Sequence, residues 1–130
     1  MERLKERLAV AEKVLQTLQD LAGENYSQLL RDASIQRFEY SFDATWKVAK
    51  HYLKEIEGLD ENSPKGVIRA CFQLGLLNQA QTQQALMMTD DRNLTSHTYQ
   101  ETLAIEIYSR IQAHQQLMKE WLQLVKMKLL

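Results

Sequence analysis

Two stretches of about thirty residues each carry an apolar stripe at helical spacing, and no proline interrupts either one. In the first, Ile35, Phe38, Phe42, Trp46, Ala49, Leu53 and Ile56 recur in steps of three and four. In the second the same rhythm is kept by Leu103, Ile107, Ile111, His114, Leu117 or Met118, Trp121 and Leu124. A chain with two such stripes has to pack long helices against one another to hide them. Four glycines and one proline are too few for a turn-rich β-sandwich, and no strand-like alternation of useful length appears.

The remaining elements follow from local signals. Leu4, Leu8, Ala11, Leu15, Leu18 and Ala22 predict a first helix over 2–22, stopped by Gly23. The first long stripe predicts a second helix from 26 or 27 to 56, closed by Gly58. Asn62-Ser63-Pro64 is a start signal, with Ser63 as N-cap and Pro64 in the first turn. The short third helix, carrying Val67, Ile68, Cys71, Phe72 and Leu74, ends near Gly75. A glutamine-rich segment leads into a short fourth helix ending close to Arg92, and the last helix runs from about 99–101 to 128. The expected fold is all-α: an antiparallel up-and-down bundle of about five helices, in a single domain over 1–130.

At 45% hydrophobic and 25% charged, the composition is that of a soluble globular chain. No apolar run is long enough to span a bilayer, so no membrane association is expected. The N-terminus is charged from the outset and lacks the apolar centre of a signal peptide. The lone Cys71 cannot form an internal disulfide; together these features predict a cytoplasmic protein. A net charge of −1 argues against gripping nucleic acid over a broad basic surface. One cysteine with scattered His51, His97 and His114 gives no metal-ligand spacing, so no metal site is expected. Lys47, Lys50 and Lys54 with His51 line one face of the second helix, either as a solvated face or as a modest phosphate-attracting strip beside the Arg92–Tyr99 cluster. His114, on an apolar stripe, reads as a core histidine.

The break in the helical pattern is Arg92-Asn93-Leu94-Thr95-Ser96-His97-Thr98-Tyr99. Arginine offers phosphate a planar fork that keeps its charge. Histidine both takes and gives a proton near neutral pH. Cleaving RNA without metal needs the 2′-hydroxyl deprotonated, the phosphorane charge balanced and the leaving 5′-oxygen protonated. His97 can serve as base or acid and Arg92 can bind the equatorial oxygens, with Asn93 and Ser96 orienting the pair. One histidine per chain is thin for two proton transfers, so a two-fold interface bringing two copies of the motif into one cleft is expected. The plainer alternative is structural: Arg92 pairs with Asp90, Asp91 or Glu101, and Ser96 or Thr98 caps the final helix.

Several stretches in order resemble a known family: Arg31-Asp32-Ala33-Ser34-Ile35-Gln36-Arg37-Phe38-Glu39-Tyr40, Trp46-Lys47, Ser63-Pro64-Lys65, Arg69-Ala70-Cys71-Phe72 and the segment Arg92 to Tyr99. This set is similar to the small helical nucleotidyltransferase substrate-binding proteins of the HEPN superfamily, over nearly the whole chain. The resemblance implies a homodimeric helical bundle and a separately encoded partner, a minimal nucleotidyltransferase. In such pairs the HEPN protein is often a metal-independent ribonuclease toxin and the nucleotidyltransferase its antitoxin. The family motif, an Arg, a polar residue and a His after four to six intervening positions, falls on Arg92, Asn93 and His97. A Tyr two residues beyond the His is similar to the acceptor of silencing AMP transfer, which would be Tyr99; a plain first-turn aromatic of the last helix is the alternative reading of that residue. No cofactor is implied for this chain; ATP and Mg²⁺ belong to the partner's reaction. Relatives often carry a Trp before the motif, where this chain has Ala85 and Leu86. A non-catalytic subunit that presents a nucleotide or other substrate to the nucleotidyltransferase is the alternative.

Overall fold

The computed structural model describes residues 2–130 and is all-α. Its helices are α1 (Glu2–Gln19), α2 (Gln28–Ile56), α3 (Pro64–Gln73), α4 (Gln79–Leu94) and α5 (Glu101–Lys128), with a 3₁₀ turn at Thr95–His97 between the last two. Helix starts are fixed by side chains that accept the orphan amides of the first turn. Ser27 accepts from the Leu30 amide at 3.0 Å and Ser63 from Gly66 at 3.1 Å, with Pro64 in the first turn of α3 as the sequence predicts. At α4, Asn78 and Gln81 form a reciprocal capping box, each side chain holding the other's backbone amide at 2.8 and 2.9 Å. The glutamine-rich segment is therefore the first turn of α4 rather than a linker before it.

Helix ends differ from the sequence reading in detail. The α-helical ladder of α1 stops at Gln19, and the chain tightens into i→i−3 bonds from Leu21 and Ala22 before Gly23 turns left-handed at φ +88°. Ala22 consequently leaves the apolar stripe and is exposed. Gly75 ends α3 in a Schellman motif: the Leu76 amide reaches Cys71 and its own amide reaches Phe72. With φ at +75°, that position strains any residue bearing a Cβ.

The long helices are ordered by pairwise contact. Thr17 meets Tyr40 and the Ser41 hydroxyl reaches the Val14 carbonyl, so α1 and α2 run antiparallel. Lys126 meets Glu12, placing α5 antiparallel to α1 as well. Phe38 stacks on His114 at 5.3 Å, so α2 and α5 share an interface. Helix α4 descends along α5, with Gln81 against Glu120 and Asp91 against Arg110. Helix α3 bridges α2 and α4. The buried face of α2 is wider than a single stripe, because it packs on both α1 and α5 and takes in Ser34, Ser41, Thr45 and Tyr52. Ile56, Phe72 and Leu74 lie at helix ends and stay exposed, and Trp46 is half-buried. On α5 both Leu117 and Met118 are buried, so the stripe broadens there too.

Phe38 of α2, fully buried, joins the apolar core to the His114 ring. Phe38→Ala is expected to lower unfolding free energy by about 3–5 kcal/mol, the usual cost of such a cavity. Urea denaturation of both proteins measures it.

Candidate functional site

The motif lies where α4 ends, and two consecutive residues fix that end in opposite directions. Asp91 points inward. Its carboxylate takes two bonds from Arg110, from Nε and Nη2 at 2.8 Å each, and one from His114 Nε2 at 2.7 Å. Burial alone raises an acid's pKa, but the bonds from Arg110 and His114 outweigh it and hold Asp91 below the usual carboxylate value. Burial pushes the His114 imidazole down, against the pull of Asp91. We assign His114 the neutral tautomer that donates from Nε2, because Nδ1 is buried without a partner and a second proton there has nothing to bond. His114 is thus the core histidine that its place on the stripe predicts.

Arg92 points outward, across the groove to α2. Its Nε and Nη2 donate to the two oxygens of Asp43 at 3.2 and 3.0 Å, a bidentate pair, and Glu39 lies 3.7 Å from Nη1. Nη1 also donates to the Thr95 hydroxyl at 3.1 Å, and that hydroxyl donates in turn to the Arg92 carbonyl at 2.7 Å. The Asp43 carboxylate raises the Arg92 pKa against partial burial, so the guanidinium stays charged. A guanidinium has five N–H groups; three are engaged by Asp43 and Thr95, and two remain.

The structural partners expected for Arg92 are committed elsewhere. Asp90 pairs with Lys65 at 2.7 Å, Asp91 with Arg110, and Glu101 with Arg31 at 3.5 Å. Nor do the hydroxyls cap α5: the N-cap is Gln100, without a side-chain bond. Ser96 donates back to the Asn93 carbonyl at 3.4 Å and Thr98 to the Thr95 carbonyl at 2.9 Å, tightening the 3₁₀ turn. This turn brings His97 to the surface beside Tyr99, their rings edge to face with centroids 6.1 Å apart. Asn93, Ser96 and His97 are exposed, and Tyr99 keeps 79% of its surface. Tyr99 and Thr98 form one wall of a pocket of about 170 Å³ whose other wall is Asp32, Ile35, Gln36 and Glu39 of α2.

Arg92 and Asn93 in the last turn of α4, Ser96 and His97 at the 3₁₀ turn and Tyr99 just beyond it therefore follow one another along the α4–α5 junction. The sequence reading did not name Asp43, and it gave no role to Glu39 or Thr95. The signal for the two acids was present: Glu39 and Asp43 stand one helical turn apart on the polar side of α2 with no cation between them in sequence. Among the described residues, no group of three or more His, Cys, Asp or Glu side chains is placed to hold a metal ion. No helix among them is long and apolar enough to cross a membrane.

The inward network has a pH signature. His114 has a folded pKa below its ordinary 6.5, so its share of stability is full above 6.5 and is lost as pH falls through the folded value. Asp91, held below 3.8, adds a second loss at lower pH. Unfolding free energy is expected to fall between pH 7 and 5, and to fall less in His114→Gln, which keeps the donor to Asp91. Equal slopes in the two proteins contradict this.

Comparison with known proteins places the fold. The family model described as "Nucleotidyltransferase substrate binding protein like" matches residues 2–127. A crystal structure of a protein from Thermus thermophilus is 50% identical, with a TM-score of 0.85, over 88% of this chain and 98% of that one. A tri-AMPylated HEPN toxin of Shewanella oneidensis, in complex with its MNT antitoxin, is 18% identical with a TM-score of 0.76, over 95% of this chain and 96% of that one. A Haemophilus influenzae protein, described as the fold of a substrate binding domain of a nucleotidyltransferase, is 19% identical with a TM-score of 0.66, covering 96% and 98%. No match is found among proteins of curated function. The family match over nearly the whole length agrees with the resemblance carried by the sequence motifs, and the chain belongs to the nucleotidyltransferase substrate binding protein-like family.

Proposed function

We propose that this chain is a metal-independent endoribonuclease toxin that works as a homodimer. In this reading it is silenced by a minimal nucleotidyltransferase antitoxin, which uses ATP and Mg²⁺ to transfer AMP onto Tyr99. The observation that carries the reading is the Arg92–Tyr99 turn: a pre-oriented guanidinium, an exposed imidazole and an exposed phenol on one surface. Its fold is also that of a protein described as a HEPN toxin in complex with an MNT antitoxin, and of a chain in a structure described as a toxin–antitoxin.

In the proposed reaction His97 takes the 2′-hydroxyl proton of RNA, and O2′ attacks the adjacent phosphorus. The two free N–H groups of Arg92 meet the phosphorane charge. The P–O5′ bond breaks as the 5′-oxygen takes a proton, supplied by His97 of the second copy, and a 2′,3′-cyclic phosphate is left. Asp43 and Thr95 hold the guanidinium plane in place, and Asn93 and Ser96 border the same surface. Incubating the purified protein with RNA in EDTA tests this. Cleavage is expected, with His97→Ala slower by about 10²–10⁴-fold and Arg92→Ala by about 10²–10³-fold, both folded. Equal cleavage by wild type and His97→Ala overturns the mechanism.

One observation favours the alternative, a non-catalytic subunit presenting a substrate to the nucleotidyltransferase. Asp43 binds Arg92 and Glu39 lies 3.7 Å from it, so two carboxylates already neutralise the cation that a phosphate would need. Wild type that cuts no RNA but still binds the partner fits that alternative.

Tyr99 supports the regulatory half. AMP on its hydroxyl would put a bulky group and a negative charge beside His97, opposing substrate by sterics and repulsion. With the partner, ATP and Mg²⁺, intact mass is expected to rise by one or more AMP units as cleavage stops. Tyr99→Phe should keep its fold and activity and escape modification. An AMP-sized addition that persists in Tyr99→Phe contradicts the assignment.

A further inference from the structure

A second cavity, of about 380 Å³, opens between the first turns of α1 and the second half of α2. It absorbs part of the basic face noted in the sequence. Lys47 and His51 of α2 line it, and α1 brings Arg3 and Arg7 to the same opening. Each helix thus presents two basic residues one turn apart, about 6 Å along its axis. Glu6 is the one carboxylate of the lining.

Among the described residues, Arg3, Arg7 and Lys47 have no carboxylate within ion-pair distance, whereas Arg31, Arg92 and Arg110 are each paired. Arg3 and Arg7, like charges one turn apart, disfavour α1 unless an anion occupies the opening. Burial and then Arg7, with Lys50 and Lys54, lower the His51 pKa while Glu55 raises it, consistent with a positive local potential.

The apolar part of the lining, taken below as the floor, is Val10, Ala11, Ala44 and Val48. Val10 is exposed, at 59% of its surface. Small-ligand sites span about 300–1,000 Å³ and combine apolar walls with a few convergent polar groups, and this cavity fits both terms. A bare anion uses the rim and wastes the floor. A long acyl chain needs a deeper trough than four small side chains on two helices provide. A flat aromatic ring joined to a phosphate uses both.

We propose that this cavity binds a nucleoside phosphate, free or within single-stranded RNA, with its base on the apolar floor and its phosphate on Arg3, Arg7 and Lys47. The site is separate from the Arg92–Tyr99 turn, and the proposal stands whether or not that turn cleaves RNA.

Titrating ¹⁵N-labelled full-length protein with AMP, and separately with inorganic phosphate, tests it. A short uncleavable RNA in a third arm distinguishes the strand from the free nucleotide. Saturable shifts are expected around Arg7, Lys47 and His51, with AMP at least about tenfold tighter than phosphate, because only AMP covers the floor. The double variant Arg7→Ala/Lys47→Ala should weaken AMP by about tenfold or more. Val10→Asp, at an exposed position the helix tolerates, should abolish binding by placing a carboxylate on the floor. Absence of saturable shifts up to about 10 mM AMP and in the RNA arm overturns the proposal. So do equal affinities for AMP and phosphate, or shifts confined to the Arg92–Tyr99 turn.

Discussion

The end of α4 depends on two neighbouring charges that face opposite ways. Asp91 binds Arg110 and His114 of α5 from inside the bundle, and Arg92 binds Asp43 of α2 across its surface. In the first anchor the Asp91 carboxylate and the His114 ring are buried, while the Arg110 side chain keeps 37% of its surface exposed. Removing His114 or Arg110 leaves the buried carboxylate short of a donor, which costs more than losing a partner in water. The second is half-exposed, and its Coulombic share is screened by solvent. The inward pair therefore secures the backbone, while the outward pair orients a guanidinium that can exchange partners. A surface turn tied at one end to a rigid core can keep its side chains exposed without losing their relative placement.

The helices were legible in sequence because stripes and caps are local signals. Ser63-Pro64 and Gly75 act as their chemistry requires, and the stripes of α2 and α5 face inward for most of their length. Differences arise where tertiary packing decides. Ser34, Ser41 and Thr45 are buried because α2 packs on α1, α3 and α5; Ser34 donates to the Leu30 carbonyl at 2.7 Å and Ser41 to that of Val14 at 3.4 Å, while the Thr45 hydroxyl has no partner among the described residues. Ile56 and Leu74 continue the apolar rhythm past the point where a neighbouring helix covers it. The motif was legible as a list of residues, because Arg92 to Tyr99 is contiguous. Its setting was not. Asp43 lies 49 positions away and Arg110 a further helix along, and no local pattern links them.

Electrostatics shape what such a surface can accept. The net charge is −1, yet the charges are unevenly spread: acids of α2 surround Arg92, and unpaired cations of α1 and α2 gather near Lys47. Asp43 and Lys47 stand one turn apart on α2, so the sign of the surface reverses within that turn. In the proposed reaction an incoming phosphate at Arg92 would meet a guanidinium already oriented, and would share it with Asp43 rather than recruit it from solvent. That sharing lowers affinity and sharpens geometry, the balance expected where binding should favour the charge that develops in a transition state.

The central claim is that Arg92 and His97 together receive the scissile phosphate of RNA. Its most direct test is a crystal structure of the protein with a short 2′-O-methyl RNA, whose blocked nucleophile prevents cleavage. The expected result is one phosphate within hydrogen-bond distance of both Arg92 and His97, with Asp43 still on the Nε edge of the guanidinium. A structure in which the RNA lies elsewhere, and Arg92 and His97 touch no phosphate, contradicts the account.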